Sequence, residues 1–427
     1  MASAKFPDKI IKNMRIGLIS FHSFYQPGGV KRHVLGLYKE FKRRGIYSKI
    51  IAPRRNWRED YGSDVILLGT SFPITFDGSQ SDFDINFNPL AIEMVLKKEK
   101  FDILHFHNCG LFSSLQILER SQALNILTFH ANIEKSEFLK RFPIFLYLLT
   151  KIVQWKIDGI IGVAPLNLKV FKDFKSPKAV IPNGIDLEEF NPRVPKLKSP
   201  AFLPKKGGVN ILFVGRIEKR KGLIYLLKAY KILQKKLGGG WVSSNLRLII
   251  VGEGELKEDC QKYVKENNLN EVYFEGQITG PKLPSYYNSC DIFCSPAIFG
   301  ESFGLVLVEA MACGKPVVAF ANEGYRQVLK GKGSKFLAKP RDYKTLAKKL
   351  EILIKNPKLR KEMGEWGLKE AKKYSWPKIA DQVLNFYQLC RKSKQKRKSR
   401  GKTFSLDKIL NKIYNKNILD WLKKLKI

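Results

Sequence analysis

Short apolar runs alternate with longer amphipathic stretches along most of this sequence, and that rhythm admits few folds. Residues 14–20 and 48–52 read as strands, with a helix between them at 30–44. Further strand-like runs follow at 103–107, 126–130, 159–163 and 179–181. Runs that are apolar throughout, rather than alternating with polar residues, suit strands covered on both faces by helices. The pattern therefore predicts the α/β class, built on a parallel, doubly wound sheet. A stretch rich in Pro, Lys and Gly at 191–208 interrupts the rhythm, as an interdomain linker does. A second series follows, with strands at 210–214, 247–251, 272–275, 291–295 and 316–319. Three consecutive glycines, Gly238, Gly239 and Gly240, together with residues 241–245, predict a loop insertion, because glycine weakens a helix interior.

The 427 residues leave room for two such units plus extensions, at roughly 100–200 residues per domain. The expected organisation is a first Rossmann-like unit at 10–192, a linker at 193–208, a second unit at 209–375, a helix at 376–390 and a tail at 391–427. That tail carries 14 Lys or Arg against Asp407 and Asp420. Its apolar residues, Leu406, Ile409, Leu410, Ile413, Ile418, Trp421, Leu422 and Leu425, recur at helical spacing. A basic amphipathic helix of this kind suits an anionic bilayer surface, and equally a helix packed on the body of the protein or on a partner. Both readings stay open.

Lys and Arg number 77 against 39 acidic residues, a formal charge of +38 that favours polyanionic partners or an anionic membrane. The basic residues are spread over helices and tail without aromatic recognition motifs, so no nucleic-acid partner is expected. Cys109, Cys260, Cys290, Cys294, Cys313 and Cys390 are scattered, without metal-ligand spacing, and are expected to be reduced. Cys290 and Cys294 flank Ile292 and Phe293, which points to core packing. The first residues are polar and show no apolar signal region, so a cytoplasmic address is expected. The longest strongly apolar patch, 142–150, is about half of the ~20 residues a spanning helix needs, so any membrane contact is expected to be peripheral. The sequence sets no oligomeric state.

Three stretches carry chemistry. Gly28 and Gly29 lie between the first strand and the first helix, where glycines let backbone N–H groups approach a phosphate. A turn that needs glycine only for its geometry explains them equally well, and the GxGxxG dinucleotide pattern is absent. After a strand of the second unit come Gly215 and Arg216, then Lys221. A guanidinium fork and an ammonium at the carboxyl end of a strand suit two phosphates of a diphosphate. The third stretch, 296–312, places Glu301 at the expected entrance of a helix and Glu309 eight residues on, about two turns, among Leu, Val and Ala. Burying a carboxylate there is unfavourable unless it meets donors such as ligand hydroxyls. Dipole compensation at a helix start explains Glu301 on structural grounds alone, and an internal ion pair explains Glu309. His105 and His107 alternate on a strand and share a face, but no third ligand is visible in sequence, so no metal is expected. A place lining the acceptor cleft and that of a satisfied core histidine both stay open for them; His22 and His33 carry no assignment.

Taken together, the Glu-x7-Glu stretch, Gly215-Arg216 with Lys221-Gly222, Pro182-Asn183-Gly184-Ile185-Asp186, Val251-Gly252-Glu253-Gly254 and Gly28-Gly29-Val30 resemble the family 4 retaining glycosyltransferases of GT-B fold. The matches run in the family's order from 14 to 387. Phe24, His33, His105-Phe106-His107, Thr128-Phe129-His130-Ala131 and Tyr325-Arg326-Gln327-Val328-Leu329 extend the likeness to its phosphatidylinositol mannosyltransferases. Many family members carry Gly-Gly-x-Pro-Glu where this chain has Glu323-Gly324-Tyr325-Arg326-Gln327, a departure that this subgroup tends to share.

The resemblance implies two Rossmann-like domains facing across a cleft, the donor mainly on the second, and a last helix that crosses back to the first. Arg216 and Lys221 would hold the donor diphosphate and Glu309 the ribose. Glu301, with the backbone of Phe303, Gly304 and Leu305, would hold the sugar and phosphates, with Gly215 and Glu253 beside them. Gly28 and Gly29 would approach the diphosphate, and His130 the transferred sugar. The implied substrate is a nucleotide sugar, GDP-mannose or a UDP-sugar, with no tightly bound cofactor and no metal. The implied acceptor is a lipid or glycan at the inner face of the cell membrane. A sugar-nucleotide epimerase or phosphorylase of the same fold would keep Arg216, Lys221 and Glu309 and stands as the alternative, with a basic nucleic-acid-binding protein as the remoter one.

Overall fold

The computed structural model describes residues 13–25, 28–76, 79–108, 113–131, 143–197, 208–237 and 246–399. The first unit holds strands β1 (Arg15–Ser20), β2 (Tyr47–Arg54), β3 (Val65–Phe76), β4 (Ser79–Ile85), β5 (Ile103–His107), β6 (Leu124–Phe129), β7 (Gly159–Gly162) and β8 (Lys178–Val180). Their order in the sheet is β4-β3-β2-β1-β5-β6-β7-β8. Every neighbouring pair is parallel except β3 and β4. Helices α1 (Gly29–Arg43), α2 (Pro89–Glu99), α3 (Ser113–Arg120) and α4 (Pro143–Lys156) connect them.

The second unit repeats the plan in a sheet of order β11-β10-β9-β12-β13-β14. Its strands are β9 (Val209–Val214), β10 (Leu246–Val251), β11 (Val272–Gly276), β12 (Ile292–Ser295), β13 (Val317–Phe320) and β14 (Leu337–Ala338). All pairs are parallel. Helices α5 (Leu223–Leu237), α6 (Lys257–Glu266), α7 (Leu283–Ser289), α8 (Leu305–Ala312), α9 (Tyr343–Lys355) and α10 (Pro357–Ala371) cover it, and α11 (Trp376–Ser399) ends the described chain. Asp342 and Asn356 cap α9 and α10 by accepting the backbone N–H of Thr345 and Leu359, which satisfies amide groups the helix itself leaves unpaired.

Each sheet separates two apolar layers, because successive strand residues point to opposite faces. On β1, Ile16 and Leu18 join the layer under α1 while Ile19 joins the other. On β9, Leu212 and its neighbours Ile211 and Phe213 divide in the same way. Fully burying each such side chain contributes roughly 1.5–3 kcal/mol. Helix α11 leaves the second unit and buries Trp376, Ile379, Val383, Leu384, Phe386 and Tyr387 in the core of the first.

Two features depart from the sequence reading. The antiparallel β3–β4 hairpin was not anticipated: β4 reads SQSDFDI, polar enough to pass for a loop, as an edge strand can be. The final helix continues past 390 to Ser399, tied down where Lys394 and Arg397 pair with Asp158 at 2.8 and 2.9 Å. Residues 391–399 therefore belong to a helix on the first unit. The amphipathic spacing from Leu406 onward, the glycine insertion and most of the linker lie outside the described residues. Among those described, no helix is long and apolar enough to cross a membrane, and the five described cysteines are free and buried.

Candidate active site

In each sheet the strand order reverses beside the first strand: β1 lies between β2 and β5, and β9 between β10 and β12. Connections leaving the carboxyl ends diverge at such a point and open a crevice. After β9 come Gly215, Arg216 and a 3₁₀ turn at Lys219–Lys221; after β12 come residues 296–304. After β1 come Gly28 and Gly29; His107 closes β5 and His130 follows β6. The sequence-predicted residues of both units thus meet across one cleft.

Gly215 has φ +158°, and a Cβ on Gly252 would collide with the Gly215 carbonyl oxygen, so the loops after β9 and β10 pack backbone against backbone. Lys221 Nζ lies 2.6 Å from Glu301 Oε1 and Arg220 Nη1 lies 2.9 Å from the same oxygen. Glu218 receives Arg220 at 2.5 Å and Arg216 at 3.5 Å. Three cations, Arg216, Arg220 and Lys221, therefore gather about Glu218 and Glu301, with Glu255 also acting on Arg216. Burial pushes the Glu301 carboxyl up, but Lys221 and Arg220 outweigh it and hold the group below the usual carboxylate range. Burial also lowers the Lys221 ammonium, against the pull of Glu301.

The structure corrects the position of Glu301. It lies in the loop, and α8 begins only at Leu305, so Glu301 and Glu309 are not two turns apart on one helix. Gly304 at φ +107° breaks the path, and a Cβ there would stand 2.6 Å from the Tyr325 ring. Glu309 is buried, as expected. Tyr287 donates to its Oε2 at 2.7 Å, and Arg32 of α1, 277 positions away, donates to its Oε1. The ion pair foreseen as the structural explanation for Glu309 exists, but its partner comes from across the cleft and is 43% exposed.

Two more contacts close the cleft. Ser302 Oγ donates to the His130 carbonyl at 2.6 Å, and a Cβ on Gly29 would lie 3.9 Å from Leu305. Gly28 stands in open space in extended conformation. Phe303 is a core side chain, edge-on to Tyr374, so only its backbone is available to the site. The Glu253 carboxylate pairs with Lys257 at 2.7 Å and is 44% exposed.

Among the histidines, His105 is a satisfied core residue: Nδ1 meets Tyr387 Oη at 2.7 Å and Nε2 meets Thr128 Oγ1 at 2.6 Å. His130 is half-buried, donates its N–H to Asn108 Oδ1 at 2.8 Å, and has Nε2 3.3 Å from His107 Nδ1. His33 joins them with its ring centroid 5.1 Å from that of His107 and 4.8 Å from that of His130. Burial lowers all three below the usual histidine range, His33 to about 4. The sequence reading missed Arg32, Arg220, Tyr287, Ser302 and the grouping of His33. Arg32 and His33 sit in the first turn behind the glycine loop, the one local sign of their position.

Residues 27–189 match the pattern of "Glycosyltransferase Family 4" and residues 196–370 that of "Glycosyl transferases group 1". The phosphatidyl-myo-inositol mannosyltransferase of Mycobacterium leprae is 32% identical over 383 residues, which cover 88% of this chain and 96% of that protein. The chain is a family 4 glycosyltransferase. The Mycobacterium tuberculosis protein of the same name is also 32% identical to this glycosyltransferase, over 390 residues covering 88% and 97%. Sucrose-phosphate synthase from Thermosynechococcus elongatus shares the fold at TM-score 0.69 and 21% identity, over 89% of this glycosyltransferase and 100% of that chain. Anabaena HepE, solved with UDP and glucose, does so at TM-score 0.66 and 18% identity, over 88% and 99%. The expected GT-B architecture is the observed one.

Proposed function

We propose that this glycosyltransferase moves a mannosyl group, with retention, from GDP-mannose to a phosphatidylinositol-type lipid on the cytoplasmic face of a membrane. The observation that carries the reading is the cluster of Arg216, Arg220 and Lys221 about Glu301, beside buried Glu309, in a chain related over most of its length to phosphatidyl-myo-inositol mannosyltransferases. Three cationic side chains gathered in a partly desolvated cluster favour a diphosphate and stabilise the charge that grows on it as the glycosidic bond breaks. Glu309 accepts hydrogen bonds from the ribose, and Glu301 with the Gly304 and Leu305 amides orients the sugar. The acceptor hydroxyl attacks the anomeric carbon from the face the diphosphate leaves, and the departing phosphate takes its proton. His130 lies against the sugar, kept neutral by burial, and no protein nucleophile is required. The donor is substrate, and the residues supply charge and position without a bound metal.

Incubation with labelled GDP-mannose and UDP-hexoses, with liposomes containing or lacking phosphatidylinositol, tests the reading. Label should pass to the lipid phase from GDP-mannose and only with phosphatidylinositol present. Label that stays on the nucleotide as an isomer, or passes to inorganic phosphate, sinks it in favour of an epimerase or a phosphorylase. Deleting 400–427 should reduce sedimentation with anionic liposomes if that segment docks on the membrane; unchanged sedimentation removes that role.

A further inference from the structure

We propose that His33, His107 and His130 form a binding site for a late first-row divalent cation, Zn²⁺ foremost, on the floor of the cleft. One ring nitrogen from each lies within 4.8 Å of the others. The ring centroids stand 4.8, 5.1 and 5.6 Å apart. Three imidazoles on a tetrahedral ion, with Zn–N near 2.1 Å, need nitrogens about 3.4 Å and centroids about 5.3 Å apart. The rings are therefore already at the required separations, and rotation of the rings brings the nitrogens in. His107 Nδ1 and His130 Nε2 are already at 3.3 Å, in a hydrogen bond that the cation replaces as the donor ring's proton shifts to its other nitrogen.

Unpartnered buried atoms point the same way. Among the described residues, neither ring nitrogen of His33, nor Nε2 of His107, nor Oδ1 of Asn183 makes a hydrogen bond of good geometry, although Asn183 stands close enough to His33 to favour its protonated form. Buried polar groups are rarely left so. Turned to donate one N–H to Asn183 Oδ1, His33 keeps the other nitrogen as a bare lone pair and gains the outer partner that metal-bound imidazoles use. Burial keeps all three rings unprotonated at neutral pH, as ligands must be. His105 is excluded, since both its nitrogens are taken. A set of three imidazoles without a carboxylate selects Zn²⁺, Cu²⁺, Ni²⁺ or Co²⁺ over Mg²⁺, Ca²⁺ or Mn²⁺. The fourth position falls to a water on the cleft side, the direction in which His130 is half-buried rather than buried. Occupancy ties up the ring proposed to lie against the sugar, so the metal is an inhibitor; that consequence rests on the function proposed above, whereas binding does not.

The test uses the full, untagged chain freed of metal, with Co²⁺ as an optical probe. The expected result is a visible absorption of four-coordinate type that saturates at one Co²⁺ per chain and is bleached by Zn²⁺. Sugar transfer should fall with Zn²⁺ and return on adding EDTA. His33→Gln and His107→Gln, with folding checked by circular dichroism melts, should each weaken Co²⁺ binding at least tenfold, while His22→Asn leaves it unchanged. Should either variant fail to fold, His130→Gln replaces it. No absorption up to about 1 mM Co²⁺, or absorption retained in two folded variants, overturns the site. The optical readout stands even if no sugar transfer is found.

Discussion

Arg32→Ala should move two measurable quantities in opposite directions. Arg32 donates to Oε1 of Glu309, the carboxylate 3% exposed and the guanidinium 43% exposed. Exposed pairs contribute ~0.2–1 kcal/mol, whereas removing one member of a fully buried pair costs ~3–5 kcal/mol. With only one partner buried, solvent screens the interaction and about 1.4 kcal/mol is a reasonable middle value. The free protein should therefore melt about 3 °C lower. If Glu309 holds the ribose, an incoming nucleotide must displace Arg32 from Oε1 while Tyr287 keeps Oε2. Deleting Arg32 removes that competition, and about 1.4 kcal/mol corresponds to a tenfold lower Kd. Isothermal titration with GDP and UDP, beside thermal melts, reads both effects, with Arg32→Lys as the charge-retaining control. Weaker nucleotide binding in Arg32→Ala would refute the reasoning and make Arg32 a donor ligand. Unchanged binding, with the melt lowered, would take the ribose away from Glu309.

Lys221→Ala or Arg216→Ala should cut turnover by roughly 10²–10³, the usual effect of removing one charge-stabilising donor, with the fold intact; near-normal rates would free both from the diphosphate. The Glu301 carboxyl is depressed in the folded protein, so its stabilisation is present above the ordinary carboxyl value of 4.5 and lost as pH falls through the folded value. Melting temperature in acid should accordingly drop less steeply in Glu301→Gln than in the parent, and equal slopes would show that the ion-pair cluster does not hold Glu301 ionised. A Cβ on Gly36 would run into the Trp376 indole, so Gly36→Ala should lose ~1–3 kcal/mol in denaturant titrations. Gly28→Ala, in open space with extended backbone, should leave stability unaltered; a matching loss there would show that the Trp376 wedge is not the cause.

The sequence alone determined the parallel core of both sheets, because unbroken apolar runs must be covered on both faces and are spaced by helices. It also located the glycine turns after β1 and β9 and the acids of 296–312, since those demands are local: a backbone path or a charge in an apolar stretch. It set Glu301 at the entrance of a helix that begins four residues later, because only the φ of Gly304 shows where α8 starts, and it passed over β4, whose polar sequence pairs only because β3 lies beside it. Which groups meet was decided by tertiary structure. Arg32 reaches Glu309 across 277 positions and Ser302 reaches His130 across 172. His33, His107 and His130 converge from α1, β5 and the end of β6, three elements distant in sequence. Periodicity records how a segment buries its own face, whereas partners across a cleft depend on how two finished sheets are set against each other.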